Sequence, residues 1–181
     1  MLAKIYRKLY KIVVGKINPV KYARKIGVNF KKGTLHIYGH VEFGSEPWLI
    51  TFGENVYITD GVKFINHDGG TLIYRNVIPD LDVTKPITVG NDVYFGNNVI
   101  VLPGVTIGNN VVIGAGAVIT KDIPDNCVVA GIPARVLKNT ADYLEKISRE
   151  STHLGHLKGK KKDRELMKLY HYDGTSRGIY F

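Results

Sequence analysis

The chain reads as an all-β protein, a parallel β-helix carrying an inserted loop and short N- and C-terminal helices. Three observations predict this. Apolar residues two apart recur every six positions, Gly, Asn and Asp cluster between the pairs, and eleven pairs keep the phase from Leu35 to Ile119 apart from two departures. An ordinary β-sandwich is the competing fold, but its strands do not hold an exact six-residue phase over eleven pairs.

The pairs are Leu35/Ile37, Val41/Phe43, Ile50/Phe52, Val56/Ile58 and Val62/Phe64, then Ile87/Val89, Val93/Phe95, Val99/Val101, Val105/Ile107, Val111/Ile113 and Ala117/Ile119. A short strand turns alternate side chains to opposite faces, so two apolar residues two apart build one inward-facing side. Gly and Asn tolerate the positive φ that a sharp corner needs, which explains "GND", "GNN" and "GAG" between the pairs. Each side then buries its inward residues on the side one coil away, as solenoids do. Outward positions alternate with these, and apolar Tyr57, Tyr94, Ile100 and Val112 there predict stripes that need a partner.

The phase fails twice. At "GSEPW" (Gly44 to Trp48) it slips by three residues. From Ile65 to Pro86 it is lost altogether, beginning in "FINHDGG" (Phe64 to Gly70). Loops this long inside a compact domain are uncommon and usually functional. This one carries Leu72, Ile73, Tyr74, Val77 and Ile78, which predict an ordered loop packed against something.

At 181 residues and 44% hydrophobic, the chain suits one domain with appendages. The single cysteine, Cys127, excludes an internal disulfide and fits a reducing cytosol. No apolar run approaches the roughly 20 residues that span a bilayer, and Lys4, Arg7, Lys8 and Lys11 interrupt any signal-peptide core. These features predict a soluble, cytoplasmic protein. Of the net charge of +9, residues 1–32 hold ten Lys and Arg and no acid, against fifteen basic and sixteen acidic residues elsewhere. The body has no nucleic-acid signature, so no nucleic-acid partner is expected.

Leu2, Ile5, Leu9, Ile12 and Val13 fall at helical spacing in the basic segment. Such a helix either covers the open first coil or makes a peripheral contact with an anionic membrane, at its inner face. Asn18 and Pro19 predict the cap and first residue of a second helix ending near Ile26 and Gly27. After Lys138, "NTADYLEKISRE" predicts a helix capped by Asn139 or Thr140, and a linker running into a charged helix follows from Lys158 to Tyr170. The division expected is 1–32 for basic N-terminal helices, 33–138 for the β-helix with loop 65–86, and 139–181 for a C-terminal helical extension.

The stretch "YFGNNVIVLPGVTIGNNVVIGAGAVITKDIPDNCVVAGIPARVLK" (Tyr94 to Lys138) resembles the terminal motif of the acetyl-CoA-dependent acetyltransferases of the hexapeptide-repeat family. That family includes galactoside, maltose, chloramphenicol and streptogramin acetyltransferases. The resemblance is nearest to O-acetyltransferases of bacterial capsule, exopolysaccharide and lipopolysaccharide synthesis. It implies a left-handed β-helix of about four coils, acetyl-CoA as co-substrate and a homotrimer with active sites between neighbours. It also implies a catalytic histidine at the start of a projecting loop, the place that His67 occupies.

The chemistry suits that residue. Imidazole, with a pKa near about 6.5, can take a hydroxyl proton at neutral pH as the oxygen attacks a thioester, then return it to the departing thiolate. Asp68, Asp60, Asp82 and the loop carbonyls are candidates to orient its second nitrogen. By position in the motif, Asn97, Ala115 and Thr120 would line the donor, while Lys121, Arg135 and Lys138 would face its phosphates. Tyr94 stands where many relatives have Trp. His36, His40, His153, His156 and His171 form no triad of ligand spacing with His67, so no metal is expected. The function implied is O-acetylation of a sugar hydroxyl in a surface polysaccharide or its precursor. N-acetylation of an amino sugar, antibiotic acetylation and a non-catalytic scaffold are the alternatives.

Overall fold

The computed structural model describes Gly15 and residues 17–172. The basic helix expected at residues 1–15 lies, Gly15 apart, outside the described residues. The chain divides between Tyr143 and Leu144 into two compact units.

The first unit opens on α1 (Pro19–Lys25), whose start is the one expected: Pro19 occupies the first turn and the Asn18 side chain accepts from the Lys21 amide at 2.9 Å. Twelve short strands follow around the coils: β1 (Leu35–Ile37), β2 (Val41–Glu42), β3 (Ile50–Phe52), β4 (Val56–Ile58), β5 (Val62–Phe64), β6 (Ile87–Val89), β7 (Val93–Phe95), β8 (Ile100–Val101), β9 (Thr106–Ile107), β10 (Val111–Ile113), β11 (Val118–Ile119) and β12 (Cys127–Ala130). Strands three apart pair in parallel, and the last pairing on the first face joins β10 to β12. The first face runs β1-β4-β7-β10-β12, the second β2-β5-β8-β11 and the third β3-β6-β9. This is a three-sided parallel β-helix. β13 (Arg135–Asn139) turns back antiparallel to β12 and ends the stack.

All the inward pairs are buried except Ile37, which is half-buried. Ile37 belongs to β1, which stands at the end of its sheet among the described residues. Phe64 lies at the centre of an aromatic cluster, with ring centroids 5.8 Å from Phe43, 5.2 Å from Phe52 and 5.4 Å from Phe95. Burying one such ring contributes about 1.5 to 3 kcal/mol.

The corners between third and first faces explain the Asn and Asp residues. Asn55, Asp92, Asn110 and Asn126 all take left-handed φ, between 54° and 59°. Their neighbours form a ladder down the edge, the Asn91 side chain accepting from Glu54 N at 2.7 Å, Asn109 from Asn91 N at 2.9 Å and Asp125 from Asn109 N at 2.6 Å. Each acceptor satisfies a corner amide that the strand pairing leaves open.

Outward residues differ by face. Tyr57, Tyr94 and Val112 align in register on the first face, where His36 stacks on Tyr57 at 4.6 Å. Ile100 does not join that stripe; it lies on the second face between Lys63 and Val118. The third face presents Thr51, Thr88 and Thr106.

α2 (Thr140–Arg149) follows β13. The Asn139 side chain accepts from the Asp142 amide at 2.7 Å, so Asn139 rather than Thr140 is the cap. The second unit contains α3 (Gly159–Leu169), which has no buried residue, as a charged solvated helix should. No helix among the described residues is long and apolar enough to cross a membrane.

Candidate active site

Both breaks in the repeat fall on one edge of the prism. The three-residue slip lies between β2 and β3, and the 65–86 loop lies between β5 and β6, so each joins the second face to the third. The shorter corners at Leu102–Pro103 and at Thr120 continue the same edge, with Leu102 N bonded to Ile119 O at 3.0 Å.

The loop closes on a short antiparallel stem. His67 bridges Thr84, Asp68 N donates to Val83 O at 2.8 Å and Lys85 N donates to Asn66 O at 2.8 Å. This stem fixes the backbone of His67. Beyond it a 3₁₀ segment (Gly69–Tyr74) is capped by the Asp68 carboxylate, which accepts from Gly70 N at 2.8 Å. The expected packing of the loop's apolar residues differs: Thr71 is the buried one, while Leu72, Ile73, Tyr74, Val77 and Ile78 are 48–73% exposed. None of the described residues covers them.

The His67 ring is held from the slip. Its Nδ1 is 3.1 Å from Ser45 Oγ and 3.3 Å from Glu46 Oε2. A carboxylate only accepts, so the Glu46 contact fits the tautomer that carries its proton on Nδ1 and leaves Nε2 as the acceptor. None of the three acids expected from sequence makes this contact. Asp60 accepts from His40 N at 2.6 Å, Asp68 caps the loop turn, and Asp82 accepts from Thr84 Oγ1 at 2.8 Å and pairs with Arg75 at 3.4 Å. Glu46 is the residue that sequence reasoning missed, and its signal was the slip that carries it.

Two clefts meet at His67. One, of about 410 Å³, is lined by Asp68, Val83, Lys85, Pro103 and Thr120. The other, of about 460 Å³, lies towards α1 and is lined by Tyr22, Ile26, Glu42, Ser45 and Lys63. Burial pushes the Tyr22 phenol pKa up.

The donor residues expected from sequence separate into groups. Thr120 shares the first cleft with His67, and Lys121 is the next residue on that corner. Asn97 and Ala115 are exposed together on the opposite edge of the second face, where Gly116 N donates to Asn97 O at 2.8 Å. Arg135 and Lys138 belong to β13, and the Arg135 guanidinium donates to Ala134 O at 2.9 Å. Tyr94, 43% exposed, lies on the first face between Tyr57 and Val112.

A three-sided parallel coil on a six-residue repeat, with a histidine held at the stem of its one long loop, defines a class before any relative is named. Residues 86–121 match the model of the bacterial transferase hexapeptide (six repeats). Over that stretch the chain is similar to the hexapeptide-repeat family, a likeness that implies a left-handed β-helix.

It is 52% identical over 105 residues to Protein CapG of Staphylococcus aureus, covering 58% of this chain and 61% of that one. It is 33% identical over 120 residues to the putative lipopolysaccharide biosynthesis O-acetyl transferase WbbJ of Escherichia coli (strain K12), covering 62% and 61%. Among solved structures it is similar to a maltose O-acetyltransferase from Clostridium difficile 630, with a TM-score of 0.53, 27% identity and coverage of 75% and 84%. The chain spans about three fifths of the length of the two curated relatives.

Proposed function

We propose that this chain is an acetyl-CoA-dependent O-acetyltransferase acting on a sugar hydroxyl of a bacterial surface polysaccharide or its precursor. One observation supports the reading: Glu46 and Ser45 contact Nδ1 of His67, and the same residue lines a cleft shared with Thr120, where Nε2 would serve as the base. Relatives named as O-acetyltransferases support the reaction class, and one whose name includes lipopolysaccharide biosynthesis supports the acceptor.

In the reaction, Nε2 takes the acceptor hydroxyl proton as that oxygen attacks the thioester carbonyl. The C–S bond then breaks, and the proton passes from the imidazolium to the coenzyme A thiolate. No covalent acyl-enzyme is needed. Thr120 and Lys121 hold the donor beside His67. Asn97 and Ala115 line its arm, Tyr94 walls it, and Arg135 and Lys138 meet its phosphates.

Those residues occupy separate edges of one chain, which supports a homotrimer whose sites use residues of two neighbours. The exposed apolar side chains of the 72–78 segment and the Tyr57–Tyr94–Val112 stripe supply surfaces for such packing. A prism of about four coils, the division at residues 32 and 138, and a cytoplasmic location at the inner membrane face complete the proposal. The test is incubation with labelled acetyl-CoA and a glycan panel, mapping any acetyl group by NMR. Ester-linked acetyl on a glycan is expected; transfer only to amines, or to nothing, overturns it.

A further inference from the structure

The slip at Gly44–Trp48 carries both residues that contact His67 Nδ1, Ser45 and Glu46. Its residues are tied to the loop stem more firmly than a solvent corner requires. Asn66, the residue before His67, is fully buried, and its Nδ2 donates to the Glu46 carbonyl at 2.5 Å. Its Oδ1 has no hydrogen-bond partner among the described residues and lies against Gly44, where a Cβ would collide with it. Gly44 has a φ of +64°, so the turn needs this residue for its backbone as well as for the close approach. A buried amide that leaves one end unsatisfied costs stability, and its retention calls for another reason.

We propose that Glu46 is the positioning residue for the His67 base, and that Asn66 is the strut that sets Glu46 in place. This rests on the reading of His67 as base. Asn66 and His67 are consecutive on the stem, so the residue that fixes the Glu46 backbone is joined directly to the ring that the Glu46 carboxylate must meet. The carboxylate holds the Nδ1–H tautomer, so Nε2 faces the reactants, and it stabilises the imidazolium formed when the proton arrives. Ser45 Oγ shares Nδ1 without supplying charge. A serine nucleophile activated by His67 is the competing use of that contact.

The experiment uses the full-length protein with Glu46→Gln, Glu46→Ala and Ser45→Ala. Nitrogen-15 NMR of the His67 ring reads the tautomer and needs no turnover, so it stands or falls separately from acetyl transfer. Wild type should carry the proton on Nδ1. Glu46→Ala should lose that preference and lower kcat about tenfold or more, within the roughly 10² to 10⁴ that a general base contributes, with little change in the donor KM. Glu46→Gln can still accept from Nδ1–H, so the tautomer should persist.

Its lost charge should still lower kcat, because an amide does not stabilise the transient imidazolium as a carboxylate does. The other titratable groups bordering the two clefts are Asp68 and Lys85 in one and Glu42, Lys63 and Tyr22 in the other; none of them changes in these variants. Ser45→Ala should keep most of kcat. The proposal fails if both Glu46 variants match wild type in tautomer and kcat, or if Ser45→Ala abolishes turnover.

Discussion

Two glycines with nearly the same backbone angle should respond very differently to alanine. Gly44 and Gly116 have φ of +64° and +71°, so either substitution places an L side chain in the left-handed region, at about 1 to 2 kcal/mol. At Gly116 that is the whole cost, because a Cβ there meets nothing within 4 Å. At Gly44 the Cβ also collides with Asn66 Oδ1 and comes within 3.1 Å of the Phe64 carbonyl. Neither neighbour yields easily, since Asn66 is fully buried and the carbonyl is backbone. Overpacking of this kind adds about 1 to 3 kcal/mol. With a urea m-value of roughly 2 kcal/mol per molar, Gly44→Ala should unfold about 0.5 to 1.5 M earlier than Gly116→Ala. Both should be measured at one protein concentration, because assembly shifts apparent stability. The kinetic effects should separate as well. Gly44→Ala displaces the strut and lowers kcat, whereas Gly116→Ala roughens the edge beside Asn97 and raises the acetyl-CoA KM. Equal unfolding midpoints would refute the packing argument, and a fall in kcat confined to Gly116→Ala would refute the placement of the site.

His67→Ala should keep the fold and lower turnover by about 10² or more, measured by thiol release from acetyl-CoA; wild-type-like turnover removes the assignment. Lys121→Ala combined with Arg135→Ala should raise the acetyl-CoA KM more than it changes kcat, because phosphate contacts bind ground and transition states alike, and an unchanged KM places the donor elsewhere. Cys127 is buried, its thiol donates to Pro124 O at 3.2 Å, and burial followed by the Asp125 charge pushes its pKa up. The folded state therefore favours the neutral thiol. That contribution is complete below the ordinary thiol pKa of about 8.5 and is lost as pH rises through the higher folded value. Iodoacetamide at about pH 8.5 should label only urea-unfolded chains; rapid labelling of the native protein would contradict the burial.

The inward half of the fold was legible because each strand must show two apolar residues to the axis, and that requirement repeats. The outward half was less so. Tyr57, Tyr94, Ile100 and Val112 were all read as outward, and the structure divides them between two faces, with Ile100 on the second, because a six-residue phase alone says which residues point out and not how many sides a coil has. The loop's apolar residues were expected to pack and are exposed, since what they cover is not encoded in the local pattern. His67 was found because it opens the long break in phase. Glu46 was missed because it lies outside the loop, 21 residues before the histidine it meets. Strand partners below the loop are 18 residues apart, as Tyr94 and Val112 are, and across the slip they are 21 apart, as Val41 and Val62 are. Glu46 precedes His67 by 21 residues, so register alone makes them neighbours on one edge.

That coincidence bears on why the site is where it is. A strict repeat presents equivalent corners, and equivalent corners cannot hold a base, its orienting acid and two distinct clefts. Chemistry must therefore break the repeat, and it must do so without taking inward pairs out of phase. Both breaks meet this condition, since strands on either side of the loop still pair in register, Ile50 with Ile87 and Lys63 with Ile100. Each doubling of loop length costs about 0.6 kcal/mol, so extending a four-residue corner such as 102–105 to the 22 residues of 65–86 costs about 1.5 kcal/mol. A single misplaced core residue would cost more, as removing a buried Phe costs about 3 to 5 kcal/mol. The edge is thus the place where a solenoid can become asymmetric at least expense to its core. Placing the second break one coil from the first brings an acid to the histidine with no further change in the repeat.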